Sequence, residues 1–340
     1  MPVRMKDIAH ELGISVVTVS KVLRNHPDIG AETRKRVQKR MKELNYQPNL
    51  AARSLSTGRT MSVGLVVPDL LHPFFAGIAA VISTELRRER YGLVIASSEE
   101  DAELERREIE QLIARRVDVL LIASAQTKTD SFRSIEEQKT PYVLIDRNFP
   151  RLGAHFIGCD DREAGRIATR HLIEQGCMRI AHIRGPNVST AIGRLEGYRN
   201  ALKQANRQPL AGHVVSLGSS GDHRGEPGGY ACAKQLLKSK HRPDGIFCFN
   251  DPSALGAMRA ILEAGLRIPE DVAVVGCGNL SYSDFLRAPL TSVDQDSQRM
   301  GQKASALALK LAQSKKPLRA RAEIIAPTLV VRASSRRLSS

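Results

Sequence analysis

The chain of 340 residues has no tryptophan, and all aromatic residues together make up only 4 %. No stretch approaches the 18 consecutive apolar residues of a membrane-spanning helix, which excludes a helical membrane protein. The opening segment, Met1 to His10, lacks the apolar core of a secretory signal, so a cytoplasmic location is expected. The five cysteines (Cys159, Cys177, Cys232, Cys248, Cys277) are scattered singly without a CxxC pair. That pattern argues against a disulfide framework and against a zinc site. Neither a GxxxxGK[ST] phosphate loop nor an HExxH metal motif is present. Gly276-Cys277-Gly278 falls short of a dinucleotide fingerprint because Ser281 holds the third glycine position. His10, His155, His171, His182 and His213 stand apart from any nucleophile, so no catalytic constellation emerges and no metal or cofactor is implied.

What is present fits a soluble globular protein: 42 % apolar and 26 % charged residues exclude wholesale disorder. The length suggests two to three domains. The net charge of +15 is unevenly spread. Residues 1–60 hold 12 Lys/Arg against 5 Asp/Glu, a surplus of +7, whereas the remaining 280 residues share +8. A dense basic head on a weakly basic body suits a polyanion-binding module followed by a second function.

The head reads as short helices. Met5–Leu12 places Ile8 and Leu12 four apart, and Gly13 can supply the positive φ of a tight turn. Ser15 stands where an N-cap belongs, ahead of a helix over Val16–Leu23. Val19, Val22 and Leu23 form its inward stripe, with Val16, Val17, Thr18 and Lys21 on the other face. A third helix, about Glu32–Leu44, buries Val37, Met41 and Leu44. Helix, glycine turn and helix within some 20 residues match a helix-turn-helix. The following amphipathic piece, Asn49–Leu55, is too short to be a stable helix alone.

From residue 61 the texture alternates. Short β-branched runs (Val63–Val67, Leu93–Ala96, Val119–Ile122, Tyr142–Ile145, Ile180–Ile183, Ile246–Phe249, Val272–Val275) are separated by helical patterns such as Asp161–Gln175 and Asp251–Ala264. Buried strands alternating with helices predict parallel sheets covered by helices. So much chain exceeds one comfortable core, so two lobes are expected. A Ser/Arg-rich tail, 334–340, without leucine heptads, is expected to fray.

The segments "MKDIAHELGISVVTVSKVLRN", "ETRKRVQKRMKELNYQPNLAARSL", "HPFFAGI", "HLIEQGCMRIAHIRGP", "GRLEGYRNAL", "FNDPSALGAMRAILEAGLRIPEDVAVVG" and "PLTSVDQD" follow in order along nearly the whole chain. Together they resemble transcription regulators of the LacI/GalR family. The resemblance implies a helix-turn-helix head (1–47), a hinge (48–60), and a two-lobed core like periplasmic binding proteins (61–333) before the tail. Its three crossovers would divide lobe 1, about 61–158 and 293–321, from lobe 2, about 159–292 and 322–333.

The resemblance also implies roles. Val16, Val17 and Lys21 fall at base-reading positions. A lysine there can donate to guanine, and the valines offer apolar contact to thymine methyls. Ser15, Thr18, Ser20 and Asn25 suit caps and phosphate contacts. Arg34 and Lys35 are phosphate neighbours or simply solvated. Leu55, beside Ala52, matches the residue wedged into the minor groove, which bends the duplex. Paired hinges imply a homodimer on a pseudo-palindromic operator. For the cleft, Phe74, Phe75, Asp146, Arg147, Thr190, Arg194 and Asn250 are the effector candidates, with Asp251 a ligand contact or an N-cap.

One departure stands out. The family usually carries an aspartate at the position of Gly278, and that side chain commonly grips a sugar hydroxyl or a ring nitrogen. Its loss points to a bulkier or anionic effector, or to compensation by Asn279. The expected function is a cytoplasmic, dimeric, DNA-binding regulator, most simply a repressor, controlled by a sugar or related metabolite. The alternatives are a transport solute-binding protein and an α/β enzyme acting on sugars or nucleotides.

Overall fold

The computed structural model describes residues 3–23, 26–46, 58–129, 132–218, 225–314 and 316–337. They divide into two units, Met1–Thr60 and Met61–Ser340.

In the first unit, α1 (Met5–Leu12) ends at Gly13, whose φ of +64° is the left-handed conformation that favours glycine. Its amide and that of Ile14 turn back onto the carbonyls of His10 and Ala9. Ser15 then caps α2 (Val16–Leu23): its Oγ accepts from the Thr18 amide at 3.0 Å. With α3 (Ala31–Glu43), these helices bury Ile8, Ala9, Val19, Val22 and Val37, and Leu23 is only half-buried.

The second unit contains two six-stranded sheets. The first has the order β11-β5-β4-β3-β1-β2 and is parallel throughout. Its strands are β1 (Ser62–Val67), β2 (Gly92–Ser97), β3 (Val119–Ile122), β4 (Tyr142–Ile145), β5 (His155–Cys159) and β11 (Ala322–Ile325). The second has the order β12-β10-β9-β8-β6-β7. It comprises β6 (Ile180–Arg184), β7 (Val214–Ser216), β8 (Gly245–Cys248), β9 (Ala273–Cys277), β10 (Thr291–Asp294) and β12 (Thr328–Val330). Only β12 in this sheet runs antiparallel to its neighbour. The helices between strands are α4 (Pro73–Arg88), α5 (Ala102–Ala114), α6 (Arg133–Glu137), α7 (Asp161–Glu174), α8 (Ser189–Gln204), α9 (Gly225–Leu237), α10 (Asp251–Glu263) and α11 (Ser297–Gln313). Each lobe carries its own apolar layers, for example Leu65, Ile78, Ile82 and Met300 in the first and Ile183, Ala233, Ile261 and Val274 in the second.

The chain passes between the lobes three times, after β5, after β10 and after β11. Two boundaries differ from expectation. β10 belongs to the second sheet, so its crossover lies beyond Asp294 and not at 292/293. β11 pairs with β5, so the last crossover follows Ile325 and not residue 321. The four-residue β11 is an edge strand with no alternation strong enough to register in the sequence.

The tail is also corrected. Ser334 is buried: its Oγ donates to the Val274 carbonyl at 2.7 Å and accepts from the Thr291 amide at 2.9 Å. Arg337 donates to the carbonyls of Pro269 and Asp244. Small hydroxyl side chains let this segment pack against β9 and β10, so it is anchored as far as residue 337.

Candidate functional site

In each sheet the chain first adds a strand on one side of the starting strand and then on the other. Such switch points open a crevice at the carboxyl ends of the strands. Here the loops after β1, β3, β4, β6, β8 and β9 surround a cavity of about 530 Å³. Phe74, Phe75, Asp146, Arg147, Thr190, Arg194 and Asn250 all line it.

From the first lobe, Phe74 and Phe75 are buried at the start of α4, with ring centroids 5.2 Å apart in an edge-to-face pair. Asp146 follows β4 in the left-handed region, with φ +61°. It is 6 % exposed. Burial raises its pKa against the pull of Arg147 and Arg194. Arg147 is clamped by Glu100 through contacts of 2.7 and 2.5 Å, and donates to the Ser124 carbonyl at 3.0 Å. Glu105, buried behind it, accepts from Ser124 Oγ at 2.6 Å and holds that loop.

From the second lobe, Arg194 on α8 is 3 % exposed. Its Nε donates to Asp161 at 2.9 Å and one terminal nitrogen to the Phe249 carbonyl at 2.6 Å. The guanidinium also lies 4.8 Å from the centroid of the Phe249 ring. Burial carries the Asp161 pKa up to about 7 despite this partner. Burial alone would lower the Arg194 pKa, but Cys277, Asp161 and Asp146 outweigh it and hold it above its ordinary value. Arg194 reaches the cavity because α7 and α8 are in very close contact. A Cβ on Gly165 would stand 2.1 Å from the Arg194 carbonyl oxygen, and one on Gly197 2.0 Å from that of Arg162.

Several sequence expectations need correction. Asn250 lines the cavity, yet its side chain is already engaged. Oδ1 caps α10 by accepting from the Ser253 amide at 2.9 Å, and Nδ2 lies 3.1 Å from His72 Nε2 across the cleft. Asp251 is neither cap nor ligand contact. It is fully buried and accepts from the Leu280 amide at 2.8 Å and from Ser292 Oγ at 2.6 Å. Gly278 is not among the lining residues; Cys277 takes that place. Gly278 has a φ of +135°, and a Cβ there would lie 3.5 Å from Asp251 Oδ2. An aspartate would be strained and would face a like charge. Asn279 does not compensate, because its amide donates to Asp294 and accepts from Arg332.

Glu100, Asp161 and Gln295 carry no signal in the sequence. Glu100 is 47 residues from the arginine it clamps. Asp161 stands at the start of α7 with no local mark of its ion pair. Gln295 follows β10, is 3 % exposed, and has an Nε2 without a partner among the described residues.

In the head, Val16 and Val17 are 42 % and 62 % exposed on α2. Lys21 reaches Asp28 at 3.4 Å. Ser15 and Thr18 hydroxyls share a hydrogen bond of 2.9 Å, and Ser20 is half-buried. Arg34 donates to the His26 carbonyl at 2.8 Å, so its guanidinium braces the turn before α3. Asn25, Ala52 and Leu55 lie outside the described residues.

A helix-turn-helix unit in the same chain as a two-lobed α/β unit whose cleft holds buried charged side chains defines a DNA-binding transcription regulator with a small-molecule sensor. Residues 4–49 match the model of bacterial regulatory proteins of the lacI family, and residues 169–335 match a periplasmic binding protein-like domain. The transcriptional repressor PurR of Pasteurella multocida is 34 % identical over 332 residues, 97 % of this chain and 98 % of that one. The regulator GalR of Escherichia coli is 33 % identical over 97 % of this chain and 95 % of its own. A crystal structure of the Lac repressor dimer bound to operator and the anti-inducer ONPF superposes with a TM-score of 0.85 at 28 % identity, covering 98 % and 99 % of the two chains. The chain therefore belongs to the lacI family of bacterial regulatory proteins and is a transcription regulator, not an enzyme. Among the described residues no helix is long and apolar enough to cross a membrane.

Proposed function

We propose that this protein is a cytoplasmic repressor that binds a pseudo-palindromic operator as a homodimer and is controlled by a small molecule in the cleft between its lobes. The observation that carries this is the coexistence, in one chain, of a lacI-type DNA-binding unit and a cavity lined by buried charged side chains.

The N-terminal half of α2 enters the major groove. Val16 and Val17 meet thymine methyls, and Lys21 leaves Asp28 to donate to a guanine. Ser15, Thr18, Ser20 and Asn25 position the helix on phosphates. Ala52 and Leu55 act in the minor groove, where an apolar wedge is best accepted at a flexible pyrimidine–purine step. In the cleft, Phe74, Phe75, Asp146, Arg147, Thr190 and Arg194 hold the effector, and Asn250 links the lobes through His72.

An effector shifts the DNA-binding population only through unequal affinity for two states, with about 5.5 kcal/mol moving 1:99 to 99:1. The test is fluorescence anisotropy of full-length protein on duplex DNA across a salt series, with and without candidate sugars. Tight sequence-dependent binding with a steep salt slope supports the function. Equal affinity for all sequences removes it.

A further inference from the structure

We propose that Glu105 is a positioning residue for the effector cleft: it fastens the loop after β3 and, through that loop, sets Arg147 so that Nε is the guanidinium nitrogen left for a ligand. The proposal rests on the cleft being the effector site.

Glu105 stands one turn into α5. It is fully buried and is not among the residues that line the cleft, so it meets no ligand itself. Both of its carboxylate oxygens are engaged. One accepts from Ser124 Oγ at 2.6 Å and the other from the Ala125 amide. Gln126 is tied to the same helix end, with its Nε2 donating to the Ala102 carbonyl at 2.7 Å. The Gln126 amide in turn donates to Ser124 Oγ at 3.1 Å. Three consecutive loop residues are thus fixed to the first turn of α5. All three belong to the cleft wall: Ala125 lines the cavity, and Ser124 and Gln126 line the groove that adjoins it. Burying a carboxylate is costly unless its oxygens are paired. Burial raises the Glu105 pKa, and the bonds to this loop and the Arg147 charge pull it back. An apolar side chain would fill the space more cheaply and leave the Ser124 and Ala125 donors unheld.

The same loop reaches Arg147. The Ser124 carbonyl accepts from one terminal nitrogen of Arg147 at 3.0 Å, and Glu100, just ahead of α5, accepts from both terminal nitrogens. Glu99 and Glu100 have φ of +50° and +57°, a costly backbone for residues other than glycine. That backbone is held by the Glu100 amide donating to the Pro68 carbonyl at 3.0 Å and the Asp101 amide donating to the Ser98 carbonyl at 2.7 Å. Residues 100–105 therefore act as one bracket. Glu100 grips the guanidinium, and Glu105 fixes the carbonyl on which it rests. These bonds use the terminal nitrogens. Nε remains, buried and without a partner among the described residues, on a side chain that lines the cavity and is 5 % exposed. A buried donor without an acceptor is costly, so a ligand oxygen that reaches it gains. The gain depends on the guanidinium plane being held, because a loosened loop lets Nε–H point in many directions.

The experiment uses full-length protein with Glu105→Ala, Glu105→Gln and a control, Ile82→Ala, which empties part of the same lobe's core and lines neither the cavity nor the groove. Hydrogen exchange is followed by mass spectrometry in peptides spanning 119–127 and 142–149. Both are expected to exchange at least about tenfold faster in Glu105→Ala and less than about threefold faster in Ile82→Ala. Glu105→Gln keeps an oxygen for the Ala125 amide and donates to Ser124 Oγ, so it is expected to restore most of the protection. In nitrogen-15-labelled protein, the Arg147 Nε–H signal is identified by its loss in Arg147→Lys. It is expected to shift or broaden in Glu105→Ala and to stay in place in Ile82→Ala. If Glu105→Ala does not fold, Ser124→Ala removes one of the two donors, and the same peptides are expected to exchange about threefold faster. Unchanged exchange in both peptides, a rise no greater than in Ile82→Ala, or an Nε–H signal indifferent to Glu105 overturns the proposal. Calorimetric titrations with glucose, galactose, ribose and cellobiose run alongside. A sugar that binds is expected to lose at least about tenfold in affinity in Glu105→Ala and less than about threefold in Glu105→Gln. Equal affinity in all variants also overturns the proposal. Binding of none of them counts against a sugar-controlled cleft, and the exchange and Nε–H results then decide the role of Glu105 alone.

Discussion

Replacing Arg194 with alanine removes one half of a buried ion pair and leaves the other half behind. The guanidinium is 3 % exposed, 2.9 Å from Asp161 and 2.6 Å from the Phe249 carbonyl. Breaking a buried pair from one side costs about 3–5 kcal/mol. At roughly 2–4 °C per kcal/mol, that lowers the melting temperature by about 10 °C. The loss should also depend on pH. Burial already holds the Asp161 pKa at about 7, above its unfolded value of 3.8. A carboxyl raised in this way contributes stability at low pH and loses it as pH rises through its folded pKa. Without Arg194 that pKa moves higher still, so the variant continues to lose stability above pH 7, by up to about 1.4 kcal/mol per pH unit. Urea denaturation at pH 6, 7 and 8.5 measures this. Adding Asp161→Asn should recover at least half of the loss at pH 8.5 and flatten the dependence. If Arg194→Ala costs less than about 1 kcal/mol at both pH 7 and pH 8.5, the buried-pair account is refuted.

Gly165→Ala puts a methyl 2.1 Å from the Arg194 carbonyl oxygen and forces α7 and α8 apart. A loss of about 1–3 kcal/mol in urea denaturation is expected, together with weaker ligand binding; an unchanged midpoint contradicts the close-contact argument. His72 is held down to about 4 by burial, below the ordinary histidine value of 6.5. The unfolded chain then binds the extra proton first, so stability falls as pH drops from about 6.5 towards 4. His72→Asn should show a shallower decline in calorimetry, by up to about 1.4 kcal/mol per pH unit. Val17→Ala, at a position 62 % exposed, should change stability by less than about 0.5 kcal/mol while weakening operator binding in anisotropy titrations. A stability loss with intact DNA binding would place Val17 in the core.

Local features were legible in the sequence because their causes are local. The left-handed turn at Gly13, the Ser15 cap and the α2 register follow from neighbours within four residues. Most of the buried strands also showed as apolar runs, but β5 and β10, whose runs are interrupted by His155, Gly158 and Ser292, did not. The short edge strands β7, β11 and β12 did not, because their three or four residues are partly exposed and their pairing is set from far along the chain. The cleft was legible in its outline and not in its wiring. Arg194 and Asp146 could be picked out by their place in motifs. The partners that decide what those groups can still bind could not. Glu100 meets Arg147 across 47 residues, and His72 meets Asn250 across 178. Gly278 was misjudged for the same reason: only the fold shows Asp251 filling the space behind it.

Selection of bound duplexes from a random DNA pool by the full-length protein tests the central claim most directly. The account predicts enrichment of an inverted repeat whose half-sites share a contact pattern for α2 and flank a pyrimidine–purine step, with affinity that changes when a cleft ligand is added. Recovery of no common sequence, or of an asymmetric site indifferent to every ligand that binds the cleft, would contradict it.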